Sequence, residues 1–117
     1  MTPVTNGGPD RLRRMGEFLD TTECARLLKA MADPTRLSIL RCLVGGERSV
    51  TDLARALKLP QPAVSHHLAI LRQAELLTQT RDGRKVIYRL HPSAARHLRD
   101  GEDVIELGCC SVSLRKP

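Results

Sequence analysis

Apolar positions recur at helical spacing up to about residue 76 and then switch to alternation, and this change of period organises the whole chain. Leu12, Met15, Phe18 and Leu19 predict a helix over 10–19, and Thr21 or Thr22 caps a second before Ala25, Leu28 and Met31, either separate from the first or continuous with it. Asp33-Pro34 predicts the next start: the Asp carboxylate accepts from free amides, and Pro fills the first helical position. Leu37, Leu40, Leu43 and Val44 form its buried stripe, and Gly45-Gly46 ends it. Ser49 then caps a short helix with Val50, Leu53, Ala54 and Leu57 facing inward, broken at Lys58-Leu59-Pro60. Another follows at once, with Gln61 as its expected cap, Pro62 as its first residue, and Val64, Leu68, Leu71 and Leu76 as the docking stripe. Two helices joined by so tight a turn form a helix-turn-helix.

The alternating part begins with 77–80 and 85–90, β-rich runs separated by Arg81-Asp82-Gly83-Arg84, where Asp-Gly suits a tight hairpin. In the second run Val86, Tyr88 and Leu90 share one face and Lys85, Ile87 and Arg89 the other, so one side packs while the other meets solvent or DNA. Pro92-Ser93 opens a short helix through Leu98, and Gly101 closes it. The stretch from Val104 to Leu114 alternates without a helix cap and is expected to be extended. The predicted class is mainly α with a small β-hairpin wing (α+β), a winged helix-turn-helix. Residues 1–20 are expected to be a flexible leader with room for one extra helix, 21–100 a winged helix-turn-helix domain suited to DNA binding, and 101–117 a tail carrying a Cys-Cys pair.

Composition narrows the partners. With 117 residues and 41% hydrophobic content the chain holds one modest core. Phe18 and Tyr88 are its only aromatics, which excludes a base-stacking platform and a π-lined pocket for an organic cofactor. A formal charge of +6 favours polyanions, of which DNA is one. No stretch is long and apolar enough for a membrane span, and the polar start lacks a signal peptide's apolar region, so a cytoplasmic protein without a membrane partner is expected. Reduced thiols are then expected at Cys24, Cys42, Cys109 and Cys110, with metal binding, redox sensing or burial ahead of a disulfide framework. An enzyme is disfavoured, because no nucleophile, base and orienting group, phosphate loop or carboxylate pair stands out.

Four segments carry a resemblance: 28–40 (LKAMADPTRLSIL), 50–54 (VTDLA), 61–68 (QPAVSHHL) and 82–90 (DGRKVIYRL). In this order and spacing the chain resembles the ArsR/SmtB family of dimeric winged-helix metalloregulators over about residues 23–92. The resemblance implies a homodimeric repressor that binds an inverted repeat in double-stranded DNA and releases it when an inducer binds. Two departures matter. Members that sense metal beside the helix before the recognition helix carry cysteines where this chain reads ERSVTDLA (47–54), and it has none there. Others hold zinc with Asp, His and Glu on a long last helix, whereas this chain offers a short helix, Gly101 and Gly108-Cys109-Cys110.

The recognition helix should present short polar groups to a groove roughly 12 Å wide, and Gln61, Ala63, Ser65 and His66 suit that surface. His67 and Arg72 lie where phosphate contact is expected. The alternatives for His66-His67 are a solvated or packed pair or a metal site, although neighbours about 100° apart on a helix do not readily chelate one ion. Arg81, Arg84 and Lys85 cluster at the expected hairpin tip, as minor-groove or phosphate contacts or simply as a solvated turn. Arg11, Arg13 and Arg14 read as a solvated face.

Adjacent cysteines rarely serve a core, since in a strand they face opposite ways, which makes Cys109-Cys110 a candidate inducer site. Soft thiolates select thiophilic ions: trivalent arsenic or antimony takes two or three sulfurs, whereas zinc or cadmium usually takes four ligands. In the family's dimer the first helix and last segment pack together, which makes Cys24 the candidate third ligand, from the same or the opposite subunit. Cys42, beside Leu43, reads as a structural thiol. The alternatives are a thiol redox or sulfide switch, a cadmium or zinc sensor, and an interaction module that kept the fold without DNA binding.

Overall fold

The computed structural model describes residues 21–95 and 104–114. The leader, the helix expected over 10–19, the arginines at 11, 13 and 14, the end of the helix opened by Pro92, and Gly101 lie outside the described residues. Helix α1 (Thr21–Met31) buries Leu27, Ala30 and Met31. Asp33 caps α2 (Pro34–Val44), its Oδ2 accepting from the amides of Thr35 at 2.9 Å and Arg36 at 3.1 Å. The buried residues of α2 are Ile39, Leu40 and Leu43, while Leu37 and Val44 are half-buried, so the inward stripe includes an isoleucine the expected spacing left out.

A two-residue strand that the sequence pattern did not signal, β1 (Arg48–Ser49), precedes α3 (Val50–Leu57). Ser49 Oγ accepts from the Asp52 amide at 3.0 Å, as expected of its cap. Helix α3 ends with Lys58 in the left-handed region at φ 58°, and Leu59 N donates to Ala54 O at 3.0 Å, a Schellman closure without glycine. The next helix, α4 (Gln61–Gln73), buries Val64, Leu68 and Leu71 as the spacing required. Its cap is Pro60 rather than Gln61: a proline with extended ψ already sets the entry, and Gln61 becomes the first helical residue with its side chain free for another role. The helix closes through Glu75, at φ 65°, in a second glycine-free Schellman turn, with Leu76 N donating to Leu71 O at 3.0 Å.

Strands β2 (Leu77–Asp82) and β3 (Lys85–Leu90) pair antiparallel, Leu77 opposite Leu90 and Asp82 opposite Lys85, and β1 adds to the other edge of β3 to give the order β1-β3-β2. The connection is therefore Gly83-Arg84 alone, and Arg81 sits within the strand rather than at the tip. Gly83 at φ 64° supplies the positive torsion the turn demands. After helix α5 (Pro92–Ala95 as described), strands β4 (Val104–Glu106) and β5 (Ser111–Ser113) form a second hairpin. Its Ile105, Leu107 and Leu114 enter the same core as Leu27, Leu40, Leu53, Leu68 and Leu76, so the expected extended tail is a hairpin fastened to the domain.

Candidate functional site

Two surfaces carry chemistry. The first is the exposed face of α4 with the wing. Gln61, Ser65 and His66 are exposed and Ala63 half-exposed, opposite the buried Val64, Leu68 and Leu71. The side chain of Gln61 is oriented: its Nε2 donates to Oγ1 of Thr51 in the first turn of α3, at 3.2 Å. Thr51 was not among the candidates from sequence, since only the packing of α3 against α4 brings it there. His66 and His67 stand edge to face at 5.6 Å between centroids, but their surroundings differ. His66 is exposed, whereas His67 is half-buried, with Nδ1 3.1 Å from Nη1 of Arg36 and 3.9 Å from Asp33 Oδ2. A guanidinium only donates, so His67 Nδ1 accepts, and this ring ties α4 to the start of α2. The Asp33 carboxyl is held below the usual aspartate range, chiefly by the Arg36 amide, with the Thr35 amide and the charge of Arg36 adding to it.

Arg72, Arg81, Arg84 and Lys85 are all exposed, Arg84 in the turn and Lys85 opposite Asp82. Arg89 is engaged elsewhere, its Nη2 2.7 Å from Glu47 Oε1 across the sheet. The Asp52 carboxyl is lowered too, first by the Ser49 hydroxyl and then by the Ser49 backbone, Arg55 and Lys85.

The second surface is sulfur. Cys109 and Cys110 lie in the turn of the β4–β5 hairpin, where Leu107 N donates to Cys110 O at 2.9 Å and Gly108, at φ 89°, donates its amide to Glu106 Oε2 at 2.9 Å. The expectation that adjacent cysteines face opposite ways applies to a strand. A turn does not alternate, and here both sulfurs approach Cys24 of α1. The Sγ atoms of Cys24, Cys109 and Cys110 all lie within 4.8 Å of one another, with Cys110 3.9 Å from each of the other two. Cys24 and Cys109 are joined as a disulfide, Cα–Cα 6.1 Å, which corrects the expectation of four reduced thiols: once a turn places two sulfurs beside a third, a bond competes with free thiols. Cys42 is free, half-buried and packed on the core, outside this group. Among the described residues no His, Asp or Glu joins the three sulfurs.

Residues 33–79, from the Asp33 cap through α4 into the wing, match the profile of the bacterial regulatory protein, arsR family. The chain is 41% identical over 95 residues to the HTH-type transcriptional repressor SmtB of Mycobacterium tuberculosis, covering 76% of this chain and 69% of that one. The chain belongs to the arsR family. It is 32% identical over 96 residues to the arsenical resistance operon repressor of Staphylococcus xylosus, covering 80% of this chain and 92% of that protein. Among solved structures, HlyU from Vibrio cholerae superposes with a TM-score of 0.62 at 38% identity, covering 65% of this chain and 83% of that one. As a member of the arsR family the chain is a winged-helix, DNA-binding transcriptional regulator rather than an enzyme. Among the described residues no helix is long and apolar enough to cross a membrane.

Proposed function

We propose that this arsR-family protein is a homodimeric repressor that grips an inverted-repeat operator and is released by trivalent arsenic or antimony bound to Cys24, Cys109 and Cys110. The observation that carries this reading is the convergence of three sulfurs, one of them 85 and 86 residues from the other two, in a chain whose relatives include an arsenical operon repressor. Three soft donors, with no fourth ligand beside them among the described residues, suit a pyramidal trivalent ion better than a tetrahedral one. Reduction of the Cys24–Cys109 bond is required before all three can bind.

On the DNA side, Gln61, Ser65 and His66 read base edges with Ala63 allowing close approach, Arg72 stands toward phosphate, and Arg81, Arg84 and Lys85 hold the flanking backbone or minor groove, while His67, turned inward to Arg36, is left to brace the helix. Two copies of α4 must lie one helical turn, ~34 Å, apart. Leu28, 41% exposed on α1 while Leu27 is buried, offers an apolar contact for the second subunit beside the cluster. A bridge between α1 and the hairpin would alter that spacing and weaken operator binding by about 5- to 150-fold.

The test is titration of the reduced protein on DNA from its own promoter region with arsenite, antimonite, cadmium and zinc in turn. Release by arsenite at one ion per subunit, lost in Cys109→Ser/Cys110→Ser, is expected. Normal arsenite release by that double variant would remove the site.

A further inference from the structure

We infer that the three-cysteine cluster is also an oxidative modification site, at which a hydroperoxide makes the same α1-to-hairpin link that a metalloid would make, so that both inputs loosen DNA by one route and exclude each other. This rests on reading the cluster as the inducer site.

The link is already drawn in the molecule. Cys24 and Cys109 are bonded, and the bond ties α1 to the β4–β5 turn across 85 residues of chain. Neither end is loose. The hairpin is rooted by Ile105, Leu107 and Leu114, all buried, and α1 by Leu27 and Met31. From α1 the constraint reaches the recognition helix directly, since α1 packs against α4. Arg26, two residues past Cys24, pairs with Glu23 and stands 3.9 Å from Glu75, the left-handed residue that closes α4. A covalent bond at Cys24 therefore acts on the same rigid elements as an ion bridging Cys24 and Cys109.

Exclusion follows from counting sulfurs. The disulfide takes two of the three donors and leaves Cys110, which is exposed and free, as a single thiol. One thiolate does not hold an ion that needs two or three. Conversely, a bound trivalent ion occupies the sulfur lone pairs that a peroxide needs. The roles of the residues then separate: Cys24 and Cys109 serve both inputs, and Cys110 serves the metalloid alone.

The chemistry balances with a hydroperoxide as the oxidant. The thiolate of one cysteine attacks an oxygen of ROOH, the O–O bond breaks, and the alkoxide departs with a proton as ROH, leaving a sulfenic acid. The sulfur of the other cysteine displaces that hydroxyl as water while the S–S bond forms. Two thiols lose two electrons and two protons, and the peroxide is reduced to ROH and water.

The experiment uses the full chain, reduced, on its operator, with hydrogen peroxide in one arm and arsenite in the other. Wild type should release in both. Cys110→Ser should release with peroxide and respond to arsenite only weakly through the two sulfurs left, whereas Cys24→Ser, which removes the α1 end of the link, should lose both responses and Cys109→Ser the peroxide response. Each reduced variant must first bind the operator as wild type does, and Cys24→Ala or Cys109→Ala replaces a serine variant that does not. Protein oxidised beforehand and freed of peroxide should take up no arsenite until a dithiol restores it. Peroxide release by Cys109→Ser, or arsenite uptake by the oxidised protein at unchanged stoichiometry, overturns the inference. If arsenite fails on wild type while peroxide acts through Cys24 and Cys109, the metalloid reading falls and the modification site stands.

Discussion

His67 accepts a hydrogen bond from Arg36 across the gap between the recognition helix and the start of α2, Nη1 to Nδ1 at 3.1 Å. The same guanidinium donates from Nε to the carbonyl of Ala30 at 2.6 Å, so one side chain joins the end of α1, the start of α2 and the middle of α4. His67 thus acts first as a brace that sets the angle of the reading helix, while His66 beside it faces outward.

His67→Ala should cost about 1–3 kcal/mol of stability in urea unfolding, because it removes a hydrogen bond to a charged, half-buried partner. His66→Ala should leave stability within about 0.5 kcal/mol and weaken operator binding instead. Equal effects of both on unfolding would contradict the division of labour.

Thr51→Val should blur base preference without loosening DNA in general. The Thr51 hydroxyl holds one amide hydrogen of Gln61, which fixes where the rest of that amide points. Losing this orientation should reduce discrimination at a single base pair by about 1 kcal/mol, with non-specific affinity unchanged. Competition against an operator series altered one position at a time reads this out.

Arg84→Ala and Lys85→Ala should each reduce the slope of log affinity against log salt by about one, uniformly across sequences, if both meet phosphate. Arg89→Ala, on the same hairpin but paired with Glu47, should leave that slope unchanged.

Asp33 caps α2 and Asp52 stands in the first turn of α3 beside its Ser49 cap, and both carboxyls titrate below their unfolded value. A depressed folded pKa contributes stability that is present above the unfolded value, near 3.8, and lost as pH falls through the folded one. Acid unfolding of the wild type should therefore steepen below about pH 4. Asp33→Asn keeps an acceptor for the cap and should flatten that part of the profile, measured by circular dichroism against pH.

Lys58→Gly should stabilise the fold by up to about 1 kcal/mol, because the left-handed closure of α3 at φ 58° costs a side-chain-bearing residue what glycine avoids. A lowered midpoint would show that Lys58 contributes contacts that outweigh its backbone.

Most of the regular structure was legible because each element carries local signals. Asp33-Pro34 and Ser49 start helices through their own side chains and neighbouring amides, and the stripe Val64, Leu68, Leu71 needs only the helical repeat. The strand Arg48–Ser49 was not legible, since two residues have no period and their pairing with Tyr88 and Ile87 exists only once the wing is in place. The end of α3 at Lys58-Leu59-Pro60 was legible, but the left-handed backbone at Lys58 and Glu75 was not, because neither has the glycine that usually marks such a cap. The second hairpin left a trace: Gly108 lies between two alternating runs, which is a turn signal.

The residue order alone determined the helix starts, the recognition helix with its outward Gln61, Ser65 and His66, the wing, and the set of thiols available for chemistry, since all of these depend on interactions within a few residues of one another. Only the tertiary structure decided that Cys24 and the Cys109-Cys110 turn share one place in the same subunit, and that His67 turns inward to Arg36. Those outcomes join residues 85 and 31 positions apart, and distances of that kind are set by how the buried leucines of separate elements pack together rather than by any local pattern.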